Sequence, residues 1–206
     1  MAQLANPART ETARTRIIAC GAIARETIAV LAQNGMNHVE LTCLPAKLHL
    51  YPDQIPDEIE REILEARAEG IDDIFVGYAD CGTGGLLDSV CEKHGVERIA
   101  GPHCYSFFLG NAEFEAMGDA TMTSFFLTDF LARQFDAFVT KPLGLDRHPE
   151  LRDAYFGNYE KLVFLAQTDD DELDAKARAA ANFLGLSYER IRTGYGDLTE
   201  AVAALK

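Results

Sequence analysis

No apolar run in the sequence approaches the roughly 20 residues that a membrane-spanning helix requires, so no place within a membrane is expected. Positive charge is scarce. There are 19 Lys and Arg against 33 Asp and Glu, a formal net charge of −14. Phosphate contacts need a clustered basic surface, so this balance argues against a general nucleic-acid binder and against adsorption on anionic lipid. No CxxC pair is present, which excludes a zinc ribbon and a thioredoxin motif. No GxGxxG or Walker pattern occurs, so neither a dinucleotide-binding nor a P-loop fold is indicated. The segment Met1 to Arg16 is polar and rich in Thr and Arg, without the apolar core of a secretory signal, and a cytoplasmic location is the expectation. No internal repeat and no low-complexity linker interrupts the chain.

What is present is an ordinary globular composition, 48% apolar and 25% charged over 206 residues, with ample length to bury a core. The five cysteines form no dense framework, and in a reducing compartment they read as ligands, reactive thiols or buried apolar groups. Short apolar strands alternate with amphipathic helices. Strands are expected at Arg16–Cys20, His38–Leu44, Ile74–Gly77, Arg98–Ala100, Lys161–Leu165 and Ser187–Arg192. Helices are expected at 22–33, 56–68, 86–93, 149–155, 170–184 and 198–205. The aromatic-rich stretch from Tyr105 to Leu143 reads as helical, because Leu127, Phe130, Leu131 and Phe135 recur every three to four residues. The fold expected is α/β, a mostly parallel sheet of about six strands with helices on both faces and an aromatic helical insertion at about 105–157. A flexible tail over 1–15 would precede a single domain over 16–206. Two lobes meeting near the aromatic segment are the alternative.

Ligands of open α/β sheets bind where the strand carboxyl ends converge. Cys20, Cys43, Cys81 and the pair His103-Cys104 all fall at such ends, and His49 lies in the loop after the second strand. Thiolate and imidazole are the donors that zinc and iron prefer. Cys81, Cys104 and His49 are therefore the candidate ligand set, with Cys20 or His103 as a fourth member. Cys91, on the apolar face of its helix, and Cys43 are better explained by packing. His38, His94 and His148 read as structural or exposed.

The loop Cys81-Gly82-Thr83-Gly84-Gly85 offers a second kind of site. Successive glycines free backbone N–H groups to face an anion at a helix start, although a tight turn alone accounts for them equally well. Arg25 is a candidate anion binder and Glu26 a general base, the latter reading more readily as a solvated face. Asp80 and Tyr78 are placed to orient a ligand or donate a hydrogen bond, and with Cys81 they are the catalytic candidates. Thr128, Asp129 and Arg133, on the polar side of the aromatic helix, are further groups with a route to the site, although a water-exposed face explains them as well.

The runs Ile18-Ala19-Cys20-Gly21-Ala22, Leu44-Pro45-Ala46-Lys47-Leu48-His49, Gly77-Tyr78-Ala79-Asp80-Cys81-Gly82, His103-Cys104 and Phe126-Leu127-Thr128-Asp129-Phe130 together resemble an uncharacterised bacterial and archaeal family, catalogued as a domain of unknown function. The likeness extends from about Arg16 to the C-terminus. Some members are encoded near corrinoid-dependent methyltransferases. The resemblance implies no activity, but its motifs contain Cys20, His49, Cys81 and Cys104. Three functions follow as expectations. The first is a zinc or iron protein linked to thiol or methyl group transfer. The second is a carrier whose aromatic segment encloses a corrinoid, haem or other coloured cofactor. The third is a metal-free enzyme with Cys81 as nucleophile and His49 or His103 as base. A small-molecule ligand or cofactor is the expected partner, and a homo-oligomer is compatible with all three.

Overall fold

The computed structural model of the chain describes residues 14–205. The first sheet is built from β1 (Thr15–Cys20), β2 (Val39–Leu44), β3 (Asp73–Gly77) and β4 (Glu97–Arg98), all parallel, in the order β2-β1-β3-β4. Residues 15–20 of β1 are all buried, as a central parallel strand covered on both faces should be. The second sheet is β5 (Ser124–Thr128), β6 (Lys161–Ala166) and β7 (Ser187–Arg192), also parallel, in the order β5-β6-β7. Its centre is the apolar run Leu162-Val163-Phe164-Leu165-Ala166, buried throughout.

Seven strands in two sheets replace the single sheet of about six expected from the sequence. The added strand is β5, which lies inside the stretch that reads as helical. Leu127 belongs to β5, while Phe130 and Leu131 lie in the short helix α6 (Asp129–Arg133) that follows it. The spacing of three to four residues thus straddles a strand–helix junction, and a β-capable run Ser-Phe-Phe-Leu-Thr was masked by it.

The other helices are α1 (Ala24–Gln33), α2 (Ile55–Ala68), α3 (Leu86–His94), α4 (Cys104–Leu109), α5 (Asn111–Ala116), α7 (Arg152–Phe156), α8 (Asp171–Leu184) and α9 (Asp197–Ala203). Local chemistry sets their ends. The Asp170 side chain accepts from the N–H groups of Glu172 and Leu173 to start α8, and Gly185, in the left-handed region, ends it. Pro56 sits in the first turn of α2, where its missing N–H costs nothing.

Each sheet has its own core, and two elements join them. In α4, Phe107 and Phe108 pack into the core of the first sheet, while Tyr105 and Leu109 pack with Phe126, Val163 and Leu165 of the second. Helix α9 leaves the second sheet but returns its Leu198 and Val202 to the first core, against α1 and α4. Residues 1–13 of the expected N-terminal tail lie outside the described residues. Its last two residues are not a tail, since Thr15 opens β1 and Arg14 forks onto the Glu40 carboxylate at 2.5 and 2.8 Å.

Candidate functional site

The order β2-β1-β3-β4 has one reversal of winding, between β1 and β3, and a crevice opens at the carboxyl ends of such strands. Cys20 is the last residue of β1, and its sulfur accepts from the N–H of Ala22 at 3.3 Å, capping the tight 21–23 turn. Tyr78 leaves β3 directly beside it. The turn at Ala46–Leu50 delivers His49 from the end of β2. Its Nδ1 lies 3.2 Å from the Ala46 carbonyl and 3.7 Å from Cys20 Sγ, and its ring stacks on Tyr78 at 6.0 Å between centroids. A proton on Nδ1 serves the carbonyl and leaves Nε2 with its lone pair.

Cys81 and Cys104 come from two loops held together by backbone hydrogen bonds. The N–H of Asp80 donates to Gly101 O at 3.0 Å, and that of Cys81 to Pro102 O at 2.8 Å. Cys81 has φ 51°, and among the described residues it is the one non-glycine in the left-handed region. That conformation costs on the order of 1 kcal/mol and tends to persist where a site requires it.

Cys20, His49, Tyr78, Cys81, Cys104 and Phe107 line a small cavity with about 10 Å³ of free space, the threshold for a single water. The Tyr78 hydroxyl is buried beside the Cys20 thiol, which is its polar neighbour, and among the described residues it has no partner in strict hydrogen-bond geometry. Among the described residues no three His, Cys, Asp or Glu side chains stand in ion-holding geometry as placed.

Burial dominates the electrostatics. It pushes the Cys20 thiol up to about 11 against the opposing N–H of Ala22. It pushes Cys81 up to about 12, with Cys20 adding to the shift. Cys104 keeps some residue surface exposed, yet its sulfur is enclosed, and its thiol also rises well above its ordinary value. Burial lowers His49, partly offset by the Ala46 carbonyl. The site at neutral pH is therefore uncharged, three thiols and a neutral imidazole, and buried thiols of this kind are poor nucleophiles. Above the thiols' ordinary value near 9 the unfolded chain loses protons that the folded chain keeps, so metal-free protein should lose stability as pH rises towards about 11 and about 12. Thermal midpoints recorded from neutral to strongly alkaline pH check this; a Cys20→Ala, Cys81→Ala double variant should flatten the decline, and a parallel decline in both proteins would count against it.

The glycine loop is already serving an anion from within. Asp80 accepts from the N–H groups of Gly82, Gly84 and Gly85 at 3.2, 3.3 and 2.8 Å and from the Thr83 hydroxyl at 2.8 Å. Burial alone would raise the Asp80 carboxyl, but these donors more than offset it and hold it below its usual range. The N–H groups at 82, 84 and 85 therefore face Asp80, not an outside ligand.

Other candidates are spread more widely. His103 does not line the thiol cavity; it precedes α4 with its ring against Tyr105 at 4.7 Å, in a different pocket of about 540 Å³ lined by Phe114, Phe125 and Phe126. Cys43 is exposed rather than packed, because its side chain projects from the edge strand β2. Cys91 is packed in the core as its helical position suggests. Thr128 caps α6 through the Leu131 N–H. Arg25, Asp129 and Arg133 line a cleft formed with the loops that follow β5, β6 and β7, distinct from the thiol cavity. Glu26 lines it as well and is only 5% exposed, which overturns its reading as a solvated residue. Sequence offered no signal for that burial, since the second sheet's loops provide it.

These features define an α/β protein with two parallel sheets and a thiol–imidazole cluster at the winding reversal of the first. The chain belongs to the DUF1638 family, described as a protein of unknown function, whose model matches residues 43–202. His49, Cys81 and Cys104 lie within that stretch, and Cys20 lies before it. The family's description carries no activity and no link to corrinoid methyl transfer. No curated protein and no solved structure matches the chain. Among the described residues no helix is long and apolar enough to cross a membrane.

Proposed function

We propose that the cavity at the β1/β3 winding reversal is a soft-metal site, for zinc or iron, held by Cys20, His49, Cys81 and Cys104. The observation that carries this reading is convergence: four soft donors from four separate segments line one small cavity at the position where α/β sheets bind ligands. Inert packing of small apolar thiols would not require Cys81 to hold a left-handed backbone. Closing on one centre requires the donors to move from their present places, and the Ala46 carbonyl orients His49 as an outer partner orients a metal-bound histidine.

A bound ion would supply the positive charge that converts these high-pKa thiols to thiolates. The chain's own contribution is to exclude water and fix the sulfurs. Asp80 is engaged by its loop and no carboxylate lines the cavity, so thiol or methyl transfer suits the site better than hydrolysis. The same burial disfavours the metal-free nucleophile reading, because an uncompensated Cys81 stays protonated at neutral pH. A second reading places a flat coloured cofactor in the aromatic pocket beside His103, which has the volume that the thiol cavity lacks.

Elemental analysis of protein purified without a His tag separates the readings. Near-stoichiometric zinc or iron is expected in the parent chain, and its loss in Cys81→Ser and Cys104→Ser, with protons released when metal is restored to stripped protein. No uptake of Zn(II) or Fe(II) under anaerobic conditions, or full occupancy surviving both substitutions, would sink the ligand set. A corrinoid or haem absorption band in place of metal at the thiols would favour the aromatic pocket.

A further inference from the structure

The cleft between the sheets has a free volume of about 600 Å³ and is formed by the start of α1 and by the loops at the carboxyl ends of β5, β6 and β7. Its lining looks strongly acidic, but most of that charge is already engaged. Asp129 accepts from the N–H groups of Gln167 and Thr168 and from the Thr168 hydroxyl. Asp170 caps α8, Asp169 pairs with Arg190 and Arg192, and Glu172 pairs with Lys176. What remains uncommitted is Glu26, the exposed Asp171 at the start of α8, and the guanidinium groups of Arg25 and Arg133.

Glu26 is buried to 5% exposure, faces the cleft, and among the described residues takes no hydrogen bond from another residue. Beyond its own backbone N–H, such a carboxylate draws its remaining donors from whatever fills the cleft. Burial and the Asp129 carboxylate raise the Glu26 carboxyl, Arg133 and Arg25 offset this only in part and form no ion pair with it, and neither arginine has an ion-pair partner among the described residues. Their planar forks suit a carboxylate or phosphate, while Glu26 lacks a cationic or hydroxylic donor. Tyr195, between β7 and α9, completes the wall.

We propose that this cleft binds a small amphoteric metabolite, its anionic group held by Arg25 and Arg133 and its amino group by Glu26. The proposal is independent of any metal at the thiols, because Ala22 and Ile23 line the thiol cavity while Arg25 and Glu26 line the cleft. The anion is a carboxylate, as in an amino acid, or a phosphate, as in an aminoalkyl phosphate, and paired probes distinguish them.

Full-length protein is titrated, following backbone amide NMR signals of Thr168 and Tyr195, with glycine against acetate and with phosphoethanolamine against inorganic phosphate. Within the pair that fits, the amine-bearing probe should bind about tenfold more tightly than its amine-free partner, the scale of one charged hydrogen bond. Arg25→Ala with Arg133→Ala should abolish binding of both members. Glu26→Gln should retain the anion but erase the preference for the amine. Melting curves of each variant confirm folding, and these substitutions break no internal ion pair. Absence of saturable shifts with all four probes overturns the proposal, as does binding that survives the double arginine change or an amine preference that survives Glu26→Gln.

Discussion

Gly196→Ala is expected to destabilise the protein by at least about 4 kcal/mol, beyond the ordinary range for a single substitution. Gly196 lies in the connection that carries the chain from β7, in the second sheet, back to α9 on the first core. Its backbone has φ 50° and ψ −140°, a combination that residues with a side chain rarely adopt. A methyl group there would stand 2.2 Å from the Phe107 carbonyl oxygen and 2.3 Å from that of Phe108. Both obstacles are main-chain atoms of α4, and neither can swing aside as a side-chain end would. Relief requires α9 to lift from α4, exposing Leu198 and Val202, which are 1% and 0% exposed. Gly84→Ala is the control. Its φ of 63° carries the same left-handed strain, but no atom lies within 4 Å of an added methyl, so about 1 kcal/mol is expected. Denaturant midpoints and slopes for the two variants decide the matter, and equal losses would mean that the α4–α9 approach is not a close one.

Asp129→Ala should cost about 3–5 kcal/mol, the range for breaking a buried charged network. Asp129 is 1% exposed and receives Gln167 N–H at 3.0 Å, Thr168 N–H at 3.0 Å and the Thr168 hydroxyl at 2.5 Å. Gln167 returns the contact by accepting the Asp129 N–H through Oε1 at 2.7 Å. The pair therefore ties the start of α6 to the end of β6. Alanine strands two backbone donors, each costing about 1–3 kcal/mol. Asparagine keeps one acceptor and turns an NH₂ towards a donor, so a smaller loss of about 2 kcal/mol is expected. Urea unfolding of both variants measures the order. An alanine variant within about 1 kcal/mol of the parent would show that water reaches this network.

Most strands and helices were legible because each carries its own local signal. The Ser187–Arg192 strand, the Asp170 cap with Gly185 after α8, and the Asn34 stop after α1 fall where residue chemistry alone puts them. β5 was not legible, since Leu127, Phe130 and Leu131 imitate a helical period across a junction between a strand and a helix. The thiol cluster was legible through one topological rule, that strand carboxyl ends converge, and Cys20, Cys81 and Cys104 with His49 do line one cavity. His103 could not be separated from Cys104 by sequence, because adjacent residues point to opposite sides and only the docking of α4 decides which faces inward.

The sequence by itself determined the α/β alternation, the parallel strands and the placing of soft side chains at their ends, because these depend on apolar runs, caps and turns within a few residues of one another. Tertiary structure alone decided that the strands divide into two sheets, that α9 returns to the first, and that Glu26 is buried. Those outcomes depend on which surfaces meet across more than a hundred residues, and Glu26 keeps the same local sequence whether or not the loops after β5, β6 and β7 close over it.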